Sequence, residues 1–193
     1  MPSSITEYVP QTAAGEDPRR RRALAVWCVL SALAVAVLGA VALAPVLRDA
    51  GWPAAAQGVY LGFHAVCHQM PERSFYVGEF PLAVCARCTG LYAGAAAGVL
   101  LYPLARPLTR TDAPARGWLL AAALPTTVDL LLGVTGLWEN THLSRFLTAL
   151  LAGAGGAFYV VPGCVDLGRR GARQLFGHLY SGEGGRGEVS RPT

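Results

Sequence analysis

The sequence predicts an all-α integral membrane protein: a four-helix bundle with one short interfacial or re-entrant helix at its outer face. Three observations carry this expectation. The first is composition. Hydrophobic residues make up 53% of the 193-residue chain and charged residues 15%. With 23 glycines added, the apolar share reaches roughly 65%, against about 45–50% in soluble domains on the same residue set. Mean hydropathy is +0.38. So little polar surface cannot coat a water-soluble globule, and the same numbers exclude a disordered chain. The second observation is a set of four apolar segments long enough to cross a bilayer. The third is the placement of charge. All sixteen cationic side chains are Arg, and the net charge of +4 reads as membrane topology rather than nucleic-acid binding.

Residues 1–18 are polar and lack apolar periodicity, so they are expected to be a disordered N-terminal tail. Arg19, Arg20, Arg21 and Arg22 then precede an uncharged apolar run from Ala23 to Leu47. At about 25 residues it can span a bilayer with some tilt. Its basic start and the Ala42-Leu43-Ala44 triplet also resemble a secretory signal. The stretch is longer than a signal core, however, and Pro45 would follow the cut, so it reads as an uncleaved first span. Arg48-Asp49-Ala50-Gly51-Trp52-Pro53 ends it, with Trp52 suited to the interface. Residues 54–69 carry Gln57, His64 and His68 and are too short and polar to span. They form the expected interfacial helix, stopped near Pro71. A polar loop over 71–80 follows. Apolar segments near 85–105, 117–138 and 143–164 complete the four spans. Residues 168–180 are expected to be an amphipathic surface helix, with Leu175, Phe176 and Leu179 opposite the arginines. Residues 181–193 read as a Gly-rich flexible tail. The membrane domain thus covers 19–167.

Orientation follows from the arginines. Arg106, Arg110 and Arg116 lie between the second and third spans, and Arg169, Arg170 and Arg173 follow the fourth. With a cytoplasmic N-terminus, twelve of the sixteen arginines fall inside. Only Arg48, Arg73, Arg87 and Arg145 lie outside or near the outer face. The expected location is the cell (cytoplasmic) membrane, multi-pass, with both termini in the cytoplasm, the lipid bilayer as partner and no nucleic acid. Gly90, Gly94 and Gly98 on the second span, and Thr148, Ala152 and Gly156 on the fourth, make small-xxx-small stripes for close helix packing.

This topology gathers the reactive side chains at the outer face. His64, Cys67 and His68 lie on the short helix, and Cys85 and Cys88 open the second span. Glu139, Asn140 and His142 occupy the turn between the last two spans. Cys28 and Cys164 stand apart, as small apolar fillers. Cys85-Ala86-Arg87-Cys88 is a C-x-x-C unit at a helix start, and its chemistry has three readings. Zinc takes two thiolates at this spacing, completed here by Cys67 and an imidazole from His64 or His68. On a helix His64 shares a face with Cys67, whereas Cys67 and His68 diverge unless the helix ends there. Four protein ligands would make the site structural; with three, Glu72 or Glu79 becomes a candidate base. The second reading is a thiol–disulfide oxidoreductase. The helix N-terminus and Arg87 would favour a thiolate, although a second loop pair of cysteines is missing. The third is a structural disulfide or inert thiols.

Asp129 sits within the third span, about nine residues from Trp138. An ionisable group at that depth is a functional candidate by default. Arg145 is its expected partner, with Thr126 one turn away and Pro125 able to bend the helix. Asp129, Arg145 and Glu72 are therefore the candidates for catalysis. A small transporter with Asp129 as relay is a further alternative, and a buried pair that fixes packing is the plain one.

Two longer stretches are more specific: Cys67-His68-Gln69-Met70-Pro71-Glu72-Arg73-Ser74-Phe75, and Pro81-Leu82 leading to Cys85-Ala86-Arg87-Cys88-Thr89-Gly90-Leu91-Tyr92-Ala93-Gly94. Together they resemble the signature of a bacterial and archaeal family of small predicted membrane proteins, the domain of unknown function family 2085. The resemblance covers roughly residues 60–155, about half the chain, and reaches Asp129 and Arg145 less specifically. One departure is Ala83-Val84, which lengthens the approach to the cysteine pair. The resemblance implies a multi-span membrane protein with Cys67, His68, Cys85 and Cys88 in its signature, and favours His68 over His64 as the imidazole. The leading expectation is a zinc-type site of those four residues, tying the short outer helix to the second span.

Overall fold

Lipid offers no partner for a bare peptide group, so a spanning segment must satisfy its backbone internally, and helices do this alone. The computed structural model describes residues 17–181, with side chains through Gly171. The tails expected over 1–18 and 181–193 lie almost wholly outside the described residues, as do the side chains of Leu175, Phe176 and Leu179. Five helices carry the chain: α1 (Pro18–Asp49), α2 (Pro53–His64), α3 (Ala86–Ala105), α4 (Arg116–Val134) and α5 (His142–Ser181). Four of them, α1, α3, α4 and residues 142–171 of α5, are long and apolar enough to cross a membrane. The protein is an all-α membrane helical bundle.

Each boundary has a local cause. At the start of α1 the Asp17 carboxylate accepts the Arg19 N–H at 2.9 Å, and Pro18 takes the first helical position. α2 ends at His64, five residues short of the expected stop at 69. The polar loop at 71–80 is more ordered than expected. It holds a 3-10 turn, Pro71–Arg73, and a short hairpin of β1 (Tyr76–Val77) and β2 (Phe80–Pro81). Tyr76 pairs with Pro81 and Val77 with Phe80. Gly78, at φ 60, makes the two-residue turn possible. α4 ends at Val134 rather than 138, because Gly136 turns the chain at φ 71. α5 is one unbroken helix of 40 residues, about 60 Å and thus about twice the hydrocarbon thickness. The expected surface helix therefore continues the last span without a break in the backbone.

The closest helix pair is α3 with α5. A Cβ added at Gly90 or Gly94 would run into the backbone carbonyls of Phe146 and Leu150, and one at Gly98 would meet Ala154 and Ala157. Conversely, Gly153 lies against the Leu91 carbonyl. The stripe predicted on α3 is thus the one used. On α5 the contact stripe is Ala149, Gly153 and Ala157, and Gly156 faces open space. One residue along a helix turns a stripe by about 100°, so the expected Thr148–Ala152–Gly156 row is rotated off the seam.

α4 packs on α5, and α1 packs on α2, α3 and α5. Their remaining faces are apolar and exposed, with Leu104, Trp118, Leu120 and Leu130 among the side chains that lipid would cover. Cys28, expected as a buried filler, is on this exposed surface, while Cys164 is half-buried.

Two prolines tie the helices together. A proline has no N–H, so the carbonyl four residues earlier loses its donor. Pro103 releases the Val99 carbonyl in this way, and the Trp27 indole N–H donates to it at 2.7 Å, joining α1 to α3. Pro45 releases the Val41 carbonyl, which accepts the Ala83 N–H at 3.1 Å. That second bond docks the segment leading into Cys85 on α1. Val41, Ala83 and Val84 are buried there.

Candidate metal centre

Three thiols meet beside that docked segment. Cys67 lies three residues beyond the end of α2, Cys85 is the cap residue of α3, and Cys88 lies in its first turn. Their sulfurs lie within 4.8 Å of one another. A tetrahedral zinc at about 2.3 Å from each sulfur needs sulfurs about 3.8 Å apart. Closing the gap takes movements of under about 1 Å, within side-chain rotation. The three cysteines could hold a metal ion.

The immediate surroundings suit a ligating sulfur. The N–H groups of Cys85 and Gln69 both point at Cys67 Sγ, at 3.3 and 3.4 Å. Such donors orient a coordinating sulfur and stabilise its charge. Gln69 reaches this position only at φ 52, an uncommon backbone state for its residue type. Its side chain compensates by donating to the carbonyls of Tyr60 at 2.7 Å and Ala83 at 2.8 Å. The Tyr60 hydroxyl donates to the Pro81 carbonyl at 2.6 Å. One glutamine and one tyrosine thus clamp the Cys67 turn to the segment before Cys85. Phe63 and Tyr92 cover the cluster with rings 6.2 Å apart, edge to face.

The Cys88 thiol, donating to Cys85, draws the Cys85 pKa down to about 5, against partial burial that raises it. Backbone donors and Cys67 assist. The expected role of the Arg87 charge differs. Its guanidinium turns away to the adjacent helix, and only its backbone N–H contributes at Cys85.

The imidazoles stand further out. His68 is exposed and lines, with the three cysteines, a cavity of about 370 Å³. His64 is exposed at the end of α2, and neither histidine belongs to the close thiol group. Because α2 ends at His64, the helical-face pairing of His64 with Cys67 does not apply, and the turn frees Cys67 and His68 from the constraint of adjacency on a helix. Glu72 and Glu79 are exposed and lie outside the thiol group.

Asp129 has a different partner from the expected Arg145. It is buried, and one of its carboxylate oxygens is 2.5 Å from Nη2 of Arg87. The Ser144 hydroxyl donates to the other at 3.0 Å, and the Asn140 side-chain amide donates to the Asp129 main-chain carbonyl. Gly133 leaves room for Asn140, since a Cβ there would fall 2.7 Å from its side-chain oxygen. Arg87 lies two residues after Cys85, so the thiol cluster and the buried carboxylate share one residue of the C-x-x-C unit. Arg145 lines the cavity instead, with its Nε buried and lacking an acceptor. Gln69 and Ser144 are the site residues that sequence reasoning missed. The signal for Gln69 was its place two residues after Cys67, where its N–H can reach the sulfur.

Part of this chain is similar to known proteins. The family model described as "Predicted membrane protein (DUF2085)" matches residues 67–159, from Cys67 past Asp129 and Arg145. An uncharacterized protein of Methanocaldococcus jannaschii is 38% identical over 104 residues, covering 54% of this chain and 67% of that protein. An uncharacterized protein of Methanothermobacter thermautotrophicus is 37% identical over 97 residues, covering 50% of this chain and 86% of the relative. No solved structure matches. With the fold, the cysteine signature and these relatives in agreement, the chain belongs to the DUF2085 family of predicted membrane proteins.

Proposed function

We propose that the protein carries a zinc-type centre at the extracytoplasmic face of the cell membrane, ligated by Cys67, Cys85, Cys88 and His68, and that this centre ties the turn after α2 to the start of α3. The convergence of three sulfurs within 4.8 Å carries this reading. A redox pair needs two thiols, and a third brought equally close has a use as a ligand. The two amide donors at Cys67 Sγ support it, since they favour a ligating sulfur. His68 begins exposed at the cavity, so its ring would turn inward to become the fourth donor. The arginine distribution supports the outward orientation and cytoplasmic termini. With four protein ligands the centre is structural. With His68 outside the shell, one position opens on the cavity, and chemistry becomes available there.

The closeness of the Cys85 and Cys88 thiols at the start of α3 favours a thiol–disulfide oxidoreductase as the second reading. The Cys88 thiol lowers the Cys85 pKa to about 5, the asymmetry that an attacking thiolate uses. The transport reading is the weaker of the three, because the Asp129 charge is already paired with Arg87.

Elemental analysis of protein purified without chelator separates the first two readings. The zinc centre requires about one metal per chain, lost in Cys85→Ser and retained in Cys28→Ser. Metal-free protein with a titratable Cys85–Cys88 disulfide would refute it and support the redox reading. Cysteine labelling from the two sides of intact cells tests the orientation.

A further inference from the structure

The cavity beside the thiols has an electrostatic character that the metal centre does not account for. Arg73, Arg87 and Arg145 all line it, together with His68, and among the described residues no aspartate or glutamate does. Arg87 is neutralised by Asp129. Among the described residues no carboxylate pairs with Arg73 or Arg145. Arg87 and Arg145 each also bury an Nε–H without an acceptor. Arg87 gives its Nη2 to Asp129, so its Nε is a spare donor of a side chain whose charge is already satisfied. A zinc bound by three thiolates and an imidazole would carry one net negative charge. Set against the two unpaired arginines, that still leaves one positive charge in excess.

Buried donors without partners are rare, and a guanidinium in a partly desolvated cleft is a strong, directional anion receptor. Its planar fork matches the oxygens of a phosphate better than the single charge of a halide. A volume of about 370 Å³ lies in the range of small-molecule sites. We propose that this cavity binds a phosphate-class anion, held by Arg145 and Arg73, with Arg87 in its wall. The phosphate could belong to a lipid headgroup at the bilayer edge or to a water-soluble phosphate compound. The chemistry recognised is the same. The proposal holds with or without a metal on the thiols.

The test uses the full chain in a neutral detergent, titrated separately with inorganic phosphate and with dihexanoyl phosphatidylglycerol, binding being read by calorimetry and by thermal stabilisation. The wild-type protein is expected to bind at least one probe, more weakly as salt is raised. Arg145→Gln should weaken binding by at least about tenfold. Arg73→Gln, at an exposed position that no carboxylate holds, should weaken it with the melting temperature of the unliganded protein unchanged. It serves as the decisive variant should Arg145→Gln fail to fold. Arg110→Gln, in the α3–α4 loop, should bind as wild type. Binding of phosphatidylglycerol alone assigns the site to a lipid headgroup; competition by inorganic phosphate assigns it to a soluble phosphate. Absence of binding by both probes, or wild-type affinity in folded Arg145→Gln and Arg73→Gln, overturns the proposal. Metal content measured on the same samples keeps this outcome distinct from failure of the zinc centre.

Discussion

The two ends of the bundle spend their polar residues in opposite ways. At the cysteine end, Asp129 is buried, and Arg87, Ser144 and Asn140 all bond to it from other parts of the chain. At the other end, Asp112 is 59% exposed and pairs with Arg106 and Arg110 of its own loop, while Asp166 pairs with Arg170 one turn along its helix. The first set is long-range and desolvated, and it fixes where helices sit. The second is local, its carboxylates at Asp112 and Asp166 reach solvent although Arg106 is only 16% exposed, and it decorates helices already placed. Between the ends, the α3–α5 seam uses almost no polar groups. Backbone meets backbone across glycines, as expected where lipid removes the hydrophobic drive for helix association.

This contrast predicts the largest effect at the seam. Gly94→Leu puts a side chain where the Leu150 backbone already stands, and no rotamer relieves a collision that begins at Cβ. The helices must separate, at a cost above about 3 kcal/mol. Loss of a monodisperse species in detergent is the expected result, and a wild-type melting curve would show that the seam is looser than the structure has it. Next comes Asp129→Ala, which strands Arg87 and the Ser144 hydroxyl, while Asn140 keeps its main-chain acceptor. Removing one partner of a buried pair costs about 3–5 kcal/mol, and the low end applies because Arg87 is 28% exposed. Unfolding by denaturing detergent, followed by circular dichroism, measures it.

The same contrast explains what could be read from the sequence. The spans were legible because a charge-free run such as Ala23–Leu47 has no other use in a chain with so few polar residues. The three-cysteine cluster was legible from spacing, since C-x-x-C at a helix start fixes two sulfurs and leaves a third to be found nearby. The Arg87–Asp129 pair was not. The two residues are 42 apart, and choosing Arg87 over Arg145 requires knowing which face of α3 turns toward α4. The Pro45 device was half legible. A proline in a span announces that the carbonyl at Val41 needs a donor, but not that Ala83 supplies it. Ala83-Val84 looked like a departure from the family pattern, yet these residues are buried against α1 and anchor the approach to Cys85. Gln69 was hidden for another reason. Its left-handed backbone is the territory of Gly and Asn, so residue type gave no hint of the turn.

Gln69→Ala sharpens the comparison inside the cysteine end. It removes two side-chain hydrogen bonds but keeps the backbone N–H that faces Cys67 Sγ. The expected loss of stability is about 1–2 kcal/mol. In the proposed zinc centre the clamp would orient a ligand without being one, so metal affinity should fall about 10–100-fold, read by competition with a chromophoric chelator. Unchanged affinity would mean that the turn is held by its own backbone, and that the glutamine serves only folding.

The smallest effect belongs to the opposite end, and it is the control for the rest. Asp112→Ala removes the same kind of group as Asp129→Ala and also breaks contacts with arginine, at 2.7 Å to Arg106 and 3.3 Å to Arg110. By distance alone the two substitutions should be comparable. Exposure separates them. Asp112 is 59% exposed against 8% for Asp129, and Arg110 is 58% exposed. Water thus replaces most of what the loop carboxylate supplies even though Arg106 is only 16% exposed, and the loss should be about 1 kcal/mol. The loss at Asp112 should also shrink as salt is raised, because screening acts on exposed charges and hardly on buried ones. Denaturing-detergent titrations of both variants at two salt concentrations test this directly. Equal losses with equal salt dependence would mean that water reaches Asp129 as freely as it reaches Asp112, and the distinction between the two ends would then rest on the thiols alone.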